Sequence, residues 1–183
     1  MIVRPAEIKD LDLVIEHDKR HMKEPGYNGS LSHPFLPDHD FNWDNRRSEK
    51  LLDWAKDITE VGWTKSFILE DGGVVLGHVH LKNLFHGTLH RAQLGMGLEE
   101  SVRGKGFGKK LLEMAITWAK TQDSLYWIDL SYFAHNLPAK KLYESFGFEK
   151  CFIYEDRLRV GHHKIDDVIM TLKLKESGSN SKS

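Results

Sequence analysis

Residues 136–148 read Asn136-Leu137-Pro138-Ala139-Lys140-Lys141-Leu142-Tyr143-Glu144-Ser145-Phe146-Gly147-Phe148. Asn136 is a helix-capping residue, and Ala139, Leu142, Tyr143 and Phe146 fall on one helical face. Gly147 ends that helix, and Phe148–Tyr154 follows as a strand. Upstream, Leu125–Tyr132 is a strand apolar on both faces, which predicts a central position in a sheet. Before it, residues 107–120 form the clearest helix of the chain, with Phe107, Leu111, Leu112, Ala115, Trp118 and Ala119 on one side. A strand over His90–Leu98 precedes that helix, with Ala92, Leu94, Met96 and Leu98 alternating on one face.

Between that strand and helix lies Arg103-Gly104-Lys105-Gly106-Phe107-Gly108-Lys109-Lys110. Glycines let a backbone approach a ligand closely, and successive amides at a helix N-terminus bind anions. Four cationic side chains stand beside them, so the expected ligand is a pyrophosphate. A Walker A loop fails, because Arg103 stands where its first glycine belongs and Lys110 where Ser or Thr is required. A dinucleotide fingerprint counted from Gly104 fails at Lys109. These failures disfavour a nucleotide-dependent kinase. The pattern that fits is R/Q-x-x-G-x-G/A at a strand-to-helix turn.

Outward from this centre, Trp63–Leu69 and Val74–Leu81 flank Glu70-Asp71-Gly72-Gly73, a hairpin signal. Ile2–Arg4 is a short strand and 10–22 a helix. A second helix is expected over about 44–60, with Leu51, Trp54, Ala55 and Ile58 on one face and Gly62 as its stop. Residues 23–43 break every pattern and form a long loop. Val168–Leu174 closes a mixed α/β domain spanning 1–175. Residues 176–183 are a small, polar tail expected to fray.

Composition narrows the function classes. The 183 residues carry a net charge of −1 with histidine neutral, against the basic excess of a dedicated nucleic-acid binder. No run approaches the roughly 18 apolar residues of a membrane-spanning helix. The N-terminus is charged throughout and reads as no signal peptide. The single Cys151 excludes an internal disulfide and is expected to pack in the core. A cytoplasmic protein is the expectation.

Two segments carry a resemblance. Asn136–Phe148 resembles the N-x-x-A-x-x-L-Y-x-x-x-G-F segment of the GNAT superfamily of acyl-CoA-dependent N-acyltransferases, and residues 103–108 resemble its pyrophosphate loop. The order of elements from Ile2 to Leu174 is similar to that fold. The resemblance implies a central, mostly antiparallel twisted sheet of six to seven strands flanked by four helices, with acetyl-CoA as co-substrate. It implies that Leu98 ends the strand that pairs with the pantetheine arm. It also implies that Arg103, Gly104, Gly106 and Gly108, with the amides of Lys105, Phe107 and Lys109, hold the pyrophosphate. Asn136 would contact the cofactor or serve only as a cap. The neighbouring strands would splay around Gly97 and Tyr132. Tyr143 would protonate the leaving thiolate, or else simply pack.

The base departs from the family pattern. The position twelve residues before Tyr143 is Ser131, and the acidic position on the preceding strand falls near Gln93. Asp129, on the face of Ser131, reads as structural. Neutralising a lysine-like amine at pH 7 costs about 4.6 kcal/mol, so a water chain through His90 is the expected proton relay. Of the eleven histidines, His78 and His80 share a strand face and His162 and His163 are adjacent, but no carboxylate completes a set, so no metal is expected.

The loop 23–43 interleaves Glu24, Asp38, Asp40 and Asp44 with Tyr27, Phe35, Phe41 and Trp43. Asp38, Asp40 and Tyr27 are the candidate contacts for a cationic amine. The expected activity is acetyl transfer from acetyl-CoA to a primary amine of a small molecule or peptide. The alternative is an acyl-CoA-binding or regulatory module without turnover. No nucleic-acid or membrane partner is expected, and a homodimer stays open.

Overall fold

A computed structural model describes residues 1–36 and 38–176. Most of the expected tail, 177–183, lies outside them. Seven strands form one sheet: β1 (Ile2–Pro5), β2 (Thr64–Asp71), β3 (Val74–Lys82), β4 (Arg91–Leu98), β5 (Trp127–Phe133), β6 (Glu149–Val160) and β7 (His163–Lys173). Their order is β1-β2-β3-β4-β5-β7-β6. Only β4 and β5 run parallel; every other neighbouring pair is antiparallel. The helices are α1 (Leu11–His21), α2 (Trp43–Ala55), α3 (Phe107–Lys120) and α4 (Leu137–Ser145).

The core lies between α3 and one sheet face. Leu111, Leu112, Ala115 and Ala119 meet Phe67, Leu69, Val79, Leu81, Ala92, Leu94, Ile128 and Leu130, all buried. The opposite face takes α1, through Val14 against Ile68 and Val75. On β5 the burial alternates, with Ile128, Leu130 and Tyr132 buried and Ser131 exposed. The strand is central in order, but its second face is polar and partly open, contrary to the expectation of two apolar faces.

Two further expectations change. α2 ends at Ala55 rather than near 60. Asp57 accepts from the Thr59 amide at 2.9 Å, and the Asp57 amide donates to Glu60 at 2.7 Å. These local bonds give the backbone of 57–60 an alternative to helix. Cys151 is exposed rather than in the core, at an irregularity in the pairing of edge strand β6 with β7.

Candidate active site

The parallel pair β4–β5 opens into a cleft. Pairing runs from Arg91↔Trp127 to Leu94↔Leu130 and stops there. Residues 95–98 stay bonded to β3 on one side only. The splay therefore begins at Gly95 and Ser131, earlier on both strands than Gly97 and Tyr132.

Directly after the freed edge of β4 comes the glycine turn. Gly104 (φ +72°) and Gly106 (φ +82°) hold left-handed conformations, with open space where a Cβ would sit. Gly106 caps α3. Among the described residues, none of the amides of 104–109 donates to a backbone or side-chain acceptor; the first bond of the helix is Lys110 N–H to Gly106 at 3.3 Å. A consecutive run of free amides at the start of a fourteen-residue helix is an anion site. Lys105 and Lys109 are exposed beside it.

Gly108 is different. A Cβ there would meet Leu142 at 3.4 Å and Leu98 at 3.8 Å, so this glycine faces the packing of α3 against α4 and β4. The Arg103 guanidinium is likewise committed elsewhere: Nε donates to the Leu98 carbonyl (2.9 Å), Nη1 to the Pro25 carbonyl (2.9 Å) and Nη2 to Glu24 (2.8 Å). The groups of the turn left without partners are thus its backbone amides, with exposed Lys105 and Lys109 beside them. Asn136 caps α4, its side-chain oxygen accepting from the Ala139 amide at 3.2 Å.

Tyr143 is buried, its ring 6.0 Å from that of Tyr132 and 5.8 Å from that of Phe148. Its hydroxyl has no hydrogen-bond partner among the described residues. Burial pushes its pKa up to about 12, which keeps the proton on the oxygen.

His90 is not brought to the cleft. It precedes Arg91 at the paired end of β4, is exposed, and its carbonyl accepts from the Tyr126 and Trp127 amides. The splay begins at the other end of the strand, so His90 cannot serve as the relay. Asp129 is structural as expected, bound to Arg91 Nε at 2.6 Å and to the Thr171 hydroxyl at 2.8 Å.

The face of β4 opposite α3 holds what sequence reasoning missed. A Cβ on Gly97 would lie 2.7 Å from the ring of His21, so the glycine admits that imidazole against the open part of β4. His21 Nδ1 meets Glu24 at 3.1 Å. Burial, with His33, His17 and Arg103 nearby, pushes its pKa down to about 3 and keeps it neutral. Asp167, on the same sheet face as Ser131 across the β5–β7 pairing, has its carboxyl pushed up by burial, with one oxygen unpartnered. His21 lies far from Gly97 in sequence, as Asp167 does from Ser131, and only the fold brings each pair together.

The loop 23–43 crosses the open end of the splay. Glu24 accepts from the Glu100 amide on the β4 side (2.9 Å), and the Leu31 carbonyl lies 3.1 Å from His135 Nε2 on the β5 side. Its aromatic rings pack mostly on one another: Phe35 stacks on His33 and His39, and Phe41 meets Phe35 and His39 edge-on and Trp43 at a tilt. Asp38, Asp40 and Tyr27 are exposed on this loop.

The site thus combines a mixed sheet split between two parallel strands with a turn of free amides at the split. The sequence model of the acetyltransferase (GNAT) family matches residues 30–148, and the chain belongs to that family. No curated protein matches it. Among solved structures it is similar to a ribosomal-protein-alanine N-acetyltransferase from Brucella melitensis: 20% identity, TM-score 0.76, covering 94% of this chain and 99% of that one. It is also similar to a Salmonella typhimurium protein solved with its cofactor acetyl-CoA, at 18% identity, TM-score 0.78 and 99% and 98% coverage. A spermidine N-acetyltransferase from Vibrio cholerae aligns at 19% identity, TM-score 0.69 and 95% of each chain. No helix of the described residues is long and apolar enough to cross a membrane.

Proposed function

We propose that this chain transfers an acetyl group from acetyl-CoA to a primary amine of a small molecule or peptide, by direct attack in a ternary complex. The observation that carries this reading is the run of unpartnered amides at 104–109, immediately after a strand edge released from its neighbour.

Acetyl-CoA supplies an activated thioester. The amides of 104–109, with Lys105 and Lys109, would hold its pyrophosphate. The free edge of β4 up to Leu98 would pair with the pantetheine arm, and its N–H groups would stabilise a developing oxyanion. Asn136 would contact the carrier beyond its capping role. Tyr143 holds a proton for the departing sulfur. His90 cannot fill the relay role, and His21, pushed down to about 3, is too weak a base to replace it, so water would carry off the proton shed by the attacking amine.

The acceptor is a cationic amine. Asp38, Asp40 and Tyr27 would meet it on the loop over the cleft, and Asp167 adds a carboxylate on the same side of the sheet. The names of two structural relatives, one for a ribosomal-protein alanine and one for spermidine, both denote amines, which supports the class.

The test is thiol release from acetyl-CoA over a panel of polyamines, amino acids, basic peptides and neutral amines. Turnover is expected with a cationic member, with apparent affinity that falls as salt rises, since exposed charges are screened over about 8 Å at physiological ionic strength. Calorimetric binding of acetyl-CoA without thiol release for any amine would instead establish a non-catalytic binding module.

A further inference from the structure

The sheet face under α1 collects imidazoles. His17 and Asp18 come from α1 and His78 from β3, and all three are buried, His17 completely. One ligand atom of each lies within 4.8 Å of the other two. His78 Nδ1 is 3.7 Å from Asp18 Oδ1, too far for a hydrogen bond.

The hydrogen-bonding account of these rings does not close. His17 Nδ1 is 3.0 Å from the Glu99 carboxylate, which Arg20 Nε also holds at 3.0 Å. His17 Nε2 and His78 Nδ1 are buried with no partner. A buried polar atom left unpaired costs about 1–3 kcal/mol, and here two such nitrogens flank one carboxylate. The cross-strand neighbour of His78 is Gly97, and the space a side chain there would fill is taken by the His21 ring, with His17 Nε2 3.9 Å away.

We propose that His17, Asp18 and His78 form a binding site for a first-row divalent cation of the zinc type, pinning α1 to β3. Three observations meet in this assignment. Two imidazoles and a carboxylate are a donor set that suits such an ion and not magnesium or calcium. The nitrogens without partners are the ones left to act as donors. Glu99 on the far nitrogen of His17 is the outer-shell carboxylate that orients a ligating imidazole. The sequence pairs His78 with His80 and offers no carboxylate; the fold supplies one from α1. Three buried protein donors leave the fourth tetrahedral position for water.

One group opposes the ion. Lys50 Nζ on α2 is 3.2 Å from Asp18 Oδ2, the oxygen turned away from His78. Its ammonium balances Asp18 when no cation is bound and repels one that arrives. Removing that charge should strengthen the site.

The experiment uses untagged full-length protein stripped with a chelator, then titrated with Co²⁺ followed by Zn²⁺. The readouts are the visible Co²⁺ absorption and calorimetry. We expect one equivalent of Co²⁺ to bind with intense tetrahedral-type bands that Zn²⁺ abolishes. His78→Gln and Asp18→Asn should weaken Zn²⁺ binding by about 10–100-fold or more. Lys50→Gln, on a half-buried helix position, should tighten it by about tenfold, a shift that can be read even if the ligand variants do not fold. Absence of saturable Co²⁺ or Zn²⁺ binding in the parent protein overturns the proposal. So does affinity unchanged in both His78→Gln and Lys50→Gln, which would place the ion elsewhere. None of these readouts depends on acetyl transfer.

Discussion

Tyr143 and His21 are both buried next to the cleft, and burial moves their pKa values in opposite directions for the same reason. Each is held in its neutral form, Tyr143 pushed up to about 12 and His21 down to about 3. The neutral phenol keeps a proton to give, whereas an imidazole pushed this far down is a poor base, so His21 lines the site without taking the amine's proton. Tyr143→Phe preserves the ring that packs on Tyr132 and Phe148 and removes only the hydroxyl. Turnover should fall about 10²–10⁴-fold with acetyl-CoA affinity nearly intact. Steady-state kinetics with calorimetry of the carrier decides it. Turnover within about twofold of the parent would make Tyr143 a packing residue.

At the scale of the element, the glycine turn and α3 separate two uses of one residue type. Gly106 needs its left-handed backbone, where an alanine costs about 1–2 kcal/mol. Gly108 has an ordinary helical conformation, and its missing side chain faces Leu142 and Leu98 at ordinary contact distance. Gly106→Ala should therefore weaken acetyl-CoA binding by distorting the free amides. Gly108→Ala should retain binding and gain up to about 1 kcal/mol from helix propensity. Calorimetry and thermal unfolding of the two variants check this; loss of binding in Gly108→Ala would place that residue against the phosphates after all. The turn, α3, α4 and the succession of elements along the chain were legible in the sequence, because their signals are local: capping residues, periodicity, glycine stops. The end of α2 was not, since Asp57, Thr59 and Glu60 bond among themselves in a way that the apolar spacing of Leu51, Trp54, Ala55 and Ile58 does not register. The pairing of His17 with Glu99, 82 residues apart, and of Arg103 with Glu24 lay beyond any local pattern.

Across the whole molecule, the N-terminal strand and α1 are fastened to the sheet by one ionic node. Arg4 forks onto Asp10, with Nη1 to Oδ2 at 2.7 Å and Nη2 to Oδ1 at 2.8 Å, and reaches Glu70 of β2 at 2.6 Å. The Glu7 amide also donates to Asp10 at 2.8 Å. The hydrogen bonds from Arg4 hold the Asp10 carboxyl below the usual carboxylate range, overcoming the opposing effect of burial. A depressed carboxyl contributes stability that is present above its unfolded value of about 3.9 and is lost as pH falls through the lower folded value. Asp10→Asn should lose about 2 kcal/mol at pH 7, the scale of a charged hydrogen bond. The gap between parent and variant should narrow below about pH 4. Denaturant unfolding at pH 7 and pH 3 reads both; a gap that persists undiminished at pH 3 contradicts the ionic account.

The commitment of Arg103 gives the two halves of the cleft a shared hinge pin. Its backbone begins the turn that would grip the carrier's phosphates, while its side chain anchors Glu24 and Pro25 at the root of the loop over the acceptor side. One side chain therefore ties the lie of the loop to the lie of the turn. Were an anion seated at the turn to shift Arg103 and so change the affinity for whatever meets the loop, linkage would require the second ligand to change the affinity for the first by the same factor.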